Sequence, residues 1–129
     1  MLNEKVKNCL QAMPLWTLAT TGNTPNIVII KFHEIDDQEN LVFYQVFMNT
    51  SVENIKTNPH VAVLASNPEN PMEAYQVNGT ATYSDDAAIV AKGNALASAM
   101  GLTAKGAIIV KPGEVIVRTP GPNAGKPLN

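Results

Sequence analysis

The chain has 129 residues and a mass of 13.8 kDa, which is the usual size of one domain. Hydrophobic residues account for 45% of the sequence and charged residues for only 16%, a balance that excludes an intrinsically disordered chain. The formal net charge is −2 and the isoelectric point is near 5.6, so the chain has no basic field to attract nucleic acid.

The amino-terminal residues and the cysteine content indicate the compartment. Glu4, Lys5 and Lys7 interrupt the apolar stretch that a signal peptide would need. No apolar run reaches the roughly 18 residues that a membrane span requires. Cys9 is the only cysteine and cannot form an intramolecular disulfide, which fits a reducing environment. We therefore expect a cytoplasmic protein with no membrane and no nucleic-acid partner.

Hydrophobic periodicity in the first half of the chain predicts one helix followed by strands. Apolar residues between Leu2 and Met13 recur at helical spacing, and Pro14 ends this helix. β-branched and aromatic residues then predict three strands, over residues 15–21, 26–35 and 41–48. A short helix is predicted over residues 52–58, with Ser51 as its N-cap.

The second half of the chain contains further strands and one longer helix. Strands are predicted over residues 61–66 and 74–83, and an Ala-rich helix over residues 87–100 that Gly101 closes. The last two strands, residues 106–111 and 114–119, are predicted to form a hairpin at Pro112 and Gly113. Residues 119–129 show no periodicity and are expected to form an extended tail on a single domain that spans residues 1–129.

Two of the predicted strands are apolar on both faces. Residues 27–30 are four consecutive aliphatic residues, and within residues 41–47 only Gln45 interrupts the apolar run. A strand without a wet face must be covered on both sides. A closed, mainly antiparallel β-barrel that presents one wall to a second copy of the chain would satisfy both strands, so we expect a homodimer.

Few residues are candidates for catalysis or metal binding. His33 and His60 are the only histidines, and the sequence has no H-x-x-x-H, C-x-x-C or E-x-x-H spacing, so we expect no metal site. Cys9 lies on the first helix with no evident base nearby, which favours a packed side chain over a nucleophile. No catalytic acid or base can be assigned from the sequence.

The segment MNTSVENIKTNP, residues 48–59, is the strongest local candidate for a binding site. A strand ends there, two hydroxyl residues follow, and a helix begins with unpaired backbone N–H groups. A helix amino terminus flanked by Thr50 and Ser51 can hold a phosphate. The alternative is that Ser51 only caps the helix, and the local sequence leaves both interpretations open.

Four segments occur in an order that resembles a known family. They are LWTLATTGNTPNIVII, SVENIKTNPHVAV, AYQVNGTATY and the closing PGPNAGKPL. Together they are similar to the small flavin-binding members of the pyridoxamine 5′-phosphate oxidase-like family of FMN-binding split barrels. The resemblance implies a six-stranded antiparallel Greek-key barrel that forms a homodimer. It also implies that FMN lies in a groove at the subunit interface, with two equivalent sites per dimer.

The resemblance assigns cofactor-binding roles to nine positions in three groups. The strand residues expected along the isoalloxazine ring are Ile29, Ile30 and Lys31. The second strand is expected to contribute Gln45, Val46 and Phe47. The residues expected to hold the phosphate are Asn49, Thr50 and Ser51.

The sequence departs from this family at the phosphate. Relatives commonly carry a lysine at or beside the position of Thr50, and this chain has no cation there. A phosphate carries about −1.5 to −2 charges near neutral pH, and neutral donors hold it less well than charged ones. Either Lys31, Lys56 or Lys126 substitutes, or the flavin is bound weakly or has been lost.

The resemblance implies an FMN-dependent oxidoreductase whose substrate the sequence does not identify. Oxidation of pyridoxamine phosphate itself is not expected, because a second phosphate needs several basic residues and Arg118 is the only arginine. Two alternatives remain open: a non-catalytic flavin carrier or electron-transfer module, and a split-barrel dimer that has lost its cofactor.

Overall fold

Seven antiparallel strands form one sheet in the computed structural model, which describes residues 2–128 except for the side chain of Pro71. The strands are β1 Trp16–Thr21, β2 Pro25–Ile30, β3 His33–Ile35, β4 Leu41–Gln45, β5 His60–Asn67, β6 Asn70–Ser84 and β7 Gly106–Val117. The helices are α1 Glu4–Ala12, α2 Asn49–Thr57 and α3 Ala87–Ala97, the last followed by a 3-10 turn, Ser98–Met100. The order across the sheet is β2-β1-β5-β6-β7-β4-β3. The predicted mainly β class is confirmed, but the sheet has seven strands instead of the six that the family resemblance implies.

The two edges of the sheet are joined by a link of two residues. β2 lies at one edge and β3 at the other, and only Lys31 and Phe32 separate them in the chain. Three residue steps reach at most about 11 Å, so the two edges must lie close together and the sheet must curl into a barrel-like shape. The single strand predicted over residues 26–35 is therefore wrong, because the chain changes from one edge to the other in its middle.

β7 is one continuous strand, so the hairpin predicted at Pro112 and Gly113 is wrong. It pairs with β6 from Ala107 to Val117, and the register shifts near Gly79, which lies opposite Pro112. A bulge can accommodate a proline, which lacks the N–H that a regular ladder needs. A Cβ on Gly79 would lie 2.5 Å from the Val110 side chain, so the close approach at this bulge requires glycine.

The barrel interior holds the hydrophobic core, and α1 contributes to it. Val6 and Leu10 of α1 are fully buried against the same cluster as Trp16, Leu18 and Phe43. The helix begins where the Asn3 side chain accepts a hydrogen bond from the Lys5 N–H at 2.8 Å. The indole N–H of Trp16 donates to the Leu10 carbonyl at 2.9 Å, which ties the end of α1 to β1.

β4 is buried on both faces, as predicted, but the second face is covered within the same chain. Val42 and Tyr44 pack with Ala107 of β7, and the side chains of Phe32 and Ile89 cover this cluster. β4 therefore does not require a partner subunit. β2 differs, since Ile27 is 70% exposed and Ile29 is 65% exposed on its outer face.

α3 is shorter than predicted. The helix ends at Ala97, the 3-10 turn follows, and Gly101 adopts a left-handed φ of 71° that stops the helical segment. Leu96 and Met100, the large apolar residues near the end of this segment, are 44% and 56% exposed. Gly93 is buried instead, and a Cβ there would lie 2.9 Å from the Tyr44 ring.

The tail folds back along β7. The Lys126 carbonyl accepts a hydrogen bond from the Val117 N–H at 2.9 Å, and the Leu128 N–H donates to the Val115 carbonyl at 2.8 Å. The segment predicted as an extended tail thus lies against the end of the barrel over its described residues, while residue 129 lies outside them.

His33 connects β3 to the link between α1 and β1. Its ring stacks on Trp16 with centroids 4.0 Å apart, and its Nε2 lies 3.0 Å from the Pro14 carbonyl oxygen, to which it donates. Burial lowers the pKa of His33 below its ordinary 6.5, although the hydrogen bond to Pro14 opposes this shift. The folded state therefore favours the neutral imidazole.

We expect the free energy of unfolding to decrease as the pH falls below about 6.5, because the unfolded chain then binds more protons than the folded one. His33→Gln should flatten this dependence below about pH 6.5, and His60→Gln, a change at an exposed position, serves as the control. Thermal or urea unfolding across this range measures both. An unchanged slope in His33→Gln would assign the dependence to other groups.

Candidate functional site

An apolar cleft of about 340 Å³ opens where β2 gives way to β3. One side is formed by residues 28–32 and another by residues 46–48, which link β4 to α2. The remaining lining residues are Tyr44, Met100 and Leu102. Lys31 is the one charged residue among the lining residues. The cleft therefore offers mainly apolar contacts with a single cation at its edge.

The structure brings five of the nine predicted cofactor residues together in this cleft. Ile29, Ile30 and Lys31 come from the end of β2, and Val46 and Phe47 come from the link after β4. These segments are distant in sequence and meet because the barrel closes at the β2–β3 break. Phe47 is 79% exposed, so it presents an aromatic surface to whatever enters the cleft.

Gln45, also predicted to bind the cofactor, is buried and does not line the cleft. Its side-chain N–H donates to the Asn49 side-chain oxygen at 3.0 Å, and its oxygen accepts from the Tyr83 hydroxyl at 2.6 Å. Successive strand residues point to opposite faces, so Tyr44 faces the cleft while Gln45 faces the barrel interior. Its hydrogen bonds fix the first residue of α2 relative to β4.

The amino terminus of α2 lies beside the cleft. Met48 lines the cleft and is the N-cap of the helix, with no side-chain hydrogen bond at the cap. Asn49 and Thr50, the first two helical residues, are exposed. The N–H groups of a first helical turn have no intrahelical acceptors and carry partial positive charge. A set of hydrogen-bond donors is therefore available next to the apolar cleft.

The prediction that Ser51 caps α2 is wrong, because Ser51 is the third residue of the helix and is fully buried. Its hydroxyl oxygen accepts a hydrogen bond from the Asn26 side chain at 3.1 Å. Asn26 and Asn54 both donate to the hydroxyl of Thr20, at 3.2 and 3.0 Å. This network attaches α2 to β1 and β2, so the Ser51 side chain is engaged within the protein.

Ser51→Asp should lower the free energy of unfolding by at least about 2 kcal/mol, because it buries a carboxylate at a fully buried position. The matched control is Thr50→Asp, one residue earlier and exposed, where a negative charge in the first turn stabilises a helix by about 0.3–1 kcal/mol. Urea unfolding of both variants measures the difference. Equal stabilities would contradict the burial of Ser51.

Only one of the three lysines considered as substitutes reaches the cleft. Lys31 lines it. Lys56 lies in the last turn of α2, away from the helix amino terminus, and pairs with Glu53 at 2.8 Å. Lys126 lies beside Val117, at the end of β7 remote from the β4–α2 link. Of these three lysines, Lys31 is therefore the one that the fold places at the cleft.

A polar group behind the cleft was not predicted from the sequence. The Tyr44 hydroxyl donates to one Glu34 oxygen at 2.5 Å, and Lys92 of α3 lies 3.5 Å from the other oxygen. Burial and the hydrogen bond to Glu34 raise the pKa of Tyr44, so the phenol stays protonated. The sequence signal for this group was Tyr44 within a mainly apolar strand. A single tyrosine does not indicate which residue accepts its hydrogen bond.

Among the described residues, neither Cys9 nor the remaining acidic and histidine side chains form a second candidate site. Burial and the neighbouring Glu73 carboxylate raise the pKa of the Cys9 thiol to about 11, which suppresses the nucleophilic thiolate. Within residues 2–128, no cluster of three or more His, Cys, Asp or Glu side chains is arranged to hold a metal ion. None of the helices described is long and apolar enough to cross a membrane.

The architecture is that of an antiparallel split-barrel-like domain with an apolar cleft at its seam. Residues 2–120 match the pyridoxamine 5′-phosphate oxidase family. Because this match covers most of the chain, the protein belongs to that family. The chain is also 28% identical to the uncharacterized protein MJ0282 of Methanocaldococcus jannaschii, over 98% of this chain and 86% of that protein.

Solved structures with similar folds include proteins of several kinds. HupZ of Group A Streptococcus superposes with a TM-score of 0.78 at 20% identity, over 97% of this chain and 100% of that one. An F420 reductase has a TM-score of 0.66 at 27% identity, over 88% and 98%. An FMN-binding protein from Syntrophomonas wolfei has a TM-score of 0.72 at 12% identity, over 88% and 84%. The neighbours therefore include an FMN-binding protein and an F420 reductase.

Proposed function

We propose that the cleft binds FMN and that the protein is an FMN-dependent oxidoreductase. The observation that carries this proposal is the convergence of an apolar cleft, one lysine and an uncapped helix amino terminus at a single place. A flavin mononucleotide combines a flat apolar ring system with a phosphate, and these features match the two parts of the site. Membership of the family and the FMN-binding neighbour support the same ligand.

The ring system is proposed to lie against Ile29, Ile30 and Phe47. Ile29 and Phe47 are 65% and 79% exposed without a ligand, so covering them removes apolar surface from water. Aromatic and aliphatic side chains are the usual lining of sites that bind small planar molecules. Val46 continues this wall toward α2.

The phosphate is proposed to bind at the first turn of α2, with Asn49, Thr50 and the backbone N–H of Ser51 as donors. The Ser51 hydroxyl is not part of this set, because it accepts from Asn26 inside the protein. Gln45 acts indirectly, since its hydrogen bond to Asn49 fixes the start of the helix. Lys31 supplies the positive charge that relatives place beside Thr50.

The flavin, when bound, supplies the redox chemistry, and the protein supplies orientation and a dry environment. No carboxylate or imidazole lines the cleft. Tyr44 contributes its ring to the wall, while its hydroxyl is held by Glu34. This composition suits hydride or electron transfer through the cofactor without a protein acid or base. Turnover with a reduced nicotinamide distinguishes an enzyme from a non-catalytic carrier.

F420 is a second candidate ligand, because the F420 reductase is 27% identical to this chain over most of both chains. The apolar wall of the cleft does not distinguish the two ring systems. Absorbance and mass of the small molecule that copurifies with the protein identify which one is bound. Protein that carries neither, and binds neither on titration, would fit a domain that has lost its cofactor.

FMN should bind more tightly than riboflavin, since only FMN carries the phosphate proposed to meet α2. Thr50→Lys should tighten FMN about ten- to hundredfold, because a hydrogen bond to a charged group contributes roughly 1.5–3 kcal/mol. Thr50→Asp should weaken FMN, and both variants should leave riboflavin nearly unchanged. Fluorescence titration of the three apo-proteins with each ligand measures all six affinities.

Equal affinities for FMN and riboflavin in the wild-type protein would place the phosphate elsewhere. Added salt provides a further check on the Thr50→Lys variant. The gain should shrink with salt if the new ammonium group is exposed, and persist if the groove excludes water.

We also propose that the protein forms a homodimer. The proposed interface is the outer face of β2, β1 and β5, which is apolar and exposed. Ile27 and Ile29 of β2 and Leu64 of β5 are exposed on this face, with Thr17 and Ala19 between them. A shallow groove of about 700 Å³ runs along the same face past Ile27 and Ala62. Ile29 belongs both to this face and to the cleft, so a second copy seated here would also cover the ligand.

We expect sedimentation to show a dimer at micromolar concentration, with an interface on the order of 2,000 Å² or more. Ile27→Lys should shift the equilibrium toward monomer, because a charge at the centre of an apolar interface is desolvated on association. Lys111→Glu, at an exposed position of β7 outside this groove, serves as the control. A monomeric wild-type protein would contradict the proposed interface.

A further inference from the structure

Met100, at the end of the 3-10 turn after α3, and Leu102 form a wall of the cleft that has no role in the proposed function. Met100 ends the turn and Leu102 follows Gly101, and both side chains line the cleft. The Gly101 N–H donates to the Ser98 carbonyl at 2.9 Å, and the Leu102 N–H donates to the Ala97 carbonyl at 3.2 Å. Gly101, in the left-handed conformation, thus forms a tight turn, and the residues on either side of it, Met100 and Leu102, both line the cleft.

Three consecutive residues of α3 hold this wall against the barrel. Lys92 lies 3.5 Å from the Glu34 carboxylate, which also accepts the hydrogen bond of Tyr44. Gly93 allows the helix to approach the Tyr44 ring, since a Cβ would lie 2.9 Å from it. The Asn94 side-chain oxygen accepts from the Ala104 N–H at 2.8 Å, which fixes the returning chain. The wall is therefore attached both before and after the turn.

The chemistry of the two side chains in this wall determines which part of a ligand they can contact. The donors at the start of α2 lie on the side of the cleft formed by Met48, whereas Met100 and Leu102 belong to a separate segment. Both side chains are apolar and neither offers a hydrogen bond to a phosphate. A methionine is flexible and fills irregular gaps against planar groups. The wall is thus suited to a ring and unsuited to the charged end of the ligand.

We propose that Met100 and Leu102 form the part of the cleft that contacts the ring system of the ligand and so contribute to its affinity. This inference rests on the proposed function, since it concerns the ring of the ligand bound there. Met100 is 56% exposed, so its side chain can be enlarged or shortened without disturbing the core. A larger residue narrows the cleft, and a smaller one removes contact with the ring.

The test uses riboflavin and FMN as probes on four variants of the full chain. Met100→Trp should weaken both ligands by the same factor, at least tenfold, because the added ring occupies the cleft. Met100→Ala should weaken both about three- to tenfold through lost apolar contact. Met100→Leu should stay within about twofold of wild type, since it conserves volume and apolarity. Leu96→Trp is the matched control, an exposed position of α3 that does not line the cleft.

The outcomes separate this inference from the proposed function. If wild type prefers FMN but Met100→Trp and Leu96→Trp both keep wild-type riboflavin affinity, the wall is not at the ring and this inference is overturned alone. If Met100→Trp weakens FMN but not riboflavin, the wall meets the phosphate end and the inference is also overturned. If wild-type protein binds neither flavin, the proposed function and this inference fail together. Thermal melting of each apo variant confirms that the fold is retained.

Discussion

The link of two residues between β2 and β3 is the constraint on which the rest of the structure depends. A chain that leaves one edge of a seven-stranded sheet and enters the other edge within about 11 Å forces the sheet to curl. Curling encloses the core around Trp16 and Phe43. It also leaves a seam where the two edges meet, and Lys31 and Phe32 lie in that seam. The cleft is thus a direct consequence of how the barrel closes, and its lysine sits at the point of closure.

The elements around the seam are held by side chains that do not themselves line it. Gln45 fixes the start of α2 through Asn49, and the Ser51–Asn26 hydrogen bond fixes the helix to β2. On the other side, Glu34 connects Tyr44 to Lys92 of α3. Gln45 and Ser51 are buried, and buried polar groups that are satisfied permit few alternative positions. These hydrogen bonds therefore set the position of the start of α2 beside the cleft.

The chain covers the apolar outer surface of one part of its sheet and leaves another part exposed. α3 covers the second face of β4, so a strand that was apolar throughout is completed within one chain. Within residues 2–128, no helix covers the outside of β2 and β5, where Ile27, Ile29 and Leu64 are exposed. Because Ile29 belongs to this face and to the cleft, association of two copies and binding of a ring would use the same surface. This connection gives the proposed dimer a functional consequence beyond stability.

Local patterns in the sequence determined the type and order of most elements and the burial of β4, whereas the residues expected at the ends of β2 and β4 as a binding site were assigned only by the family resemblance. The local patterns could do so because hydrophobic periodicity and capping chemistry act within a few residues. Only the tertiary structure decided that residues 26–35 divide between two sheet edges, that Pro112 and Gly113 form a bulge, and that Ser51 is buried. Each of these depends on which distant segment packs against the residues: β1 beside β2 and β4 beside β3, β6 opposite Pro112, and Asn26 against Ser51. An apolar sequence indicates that a surface must be covered, and a turn-forming sequence indicates that a strand is interrupted. Which segment of the chain packs against these residues is decided only when the barrel closes.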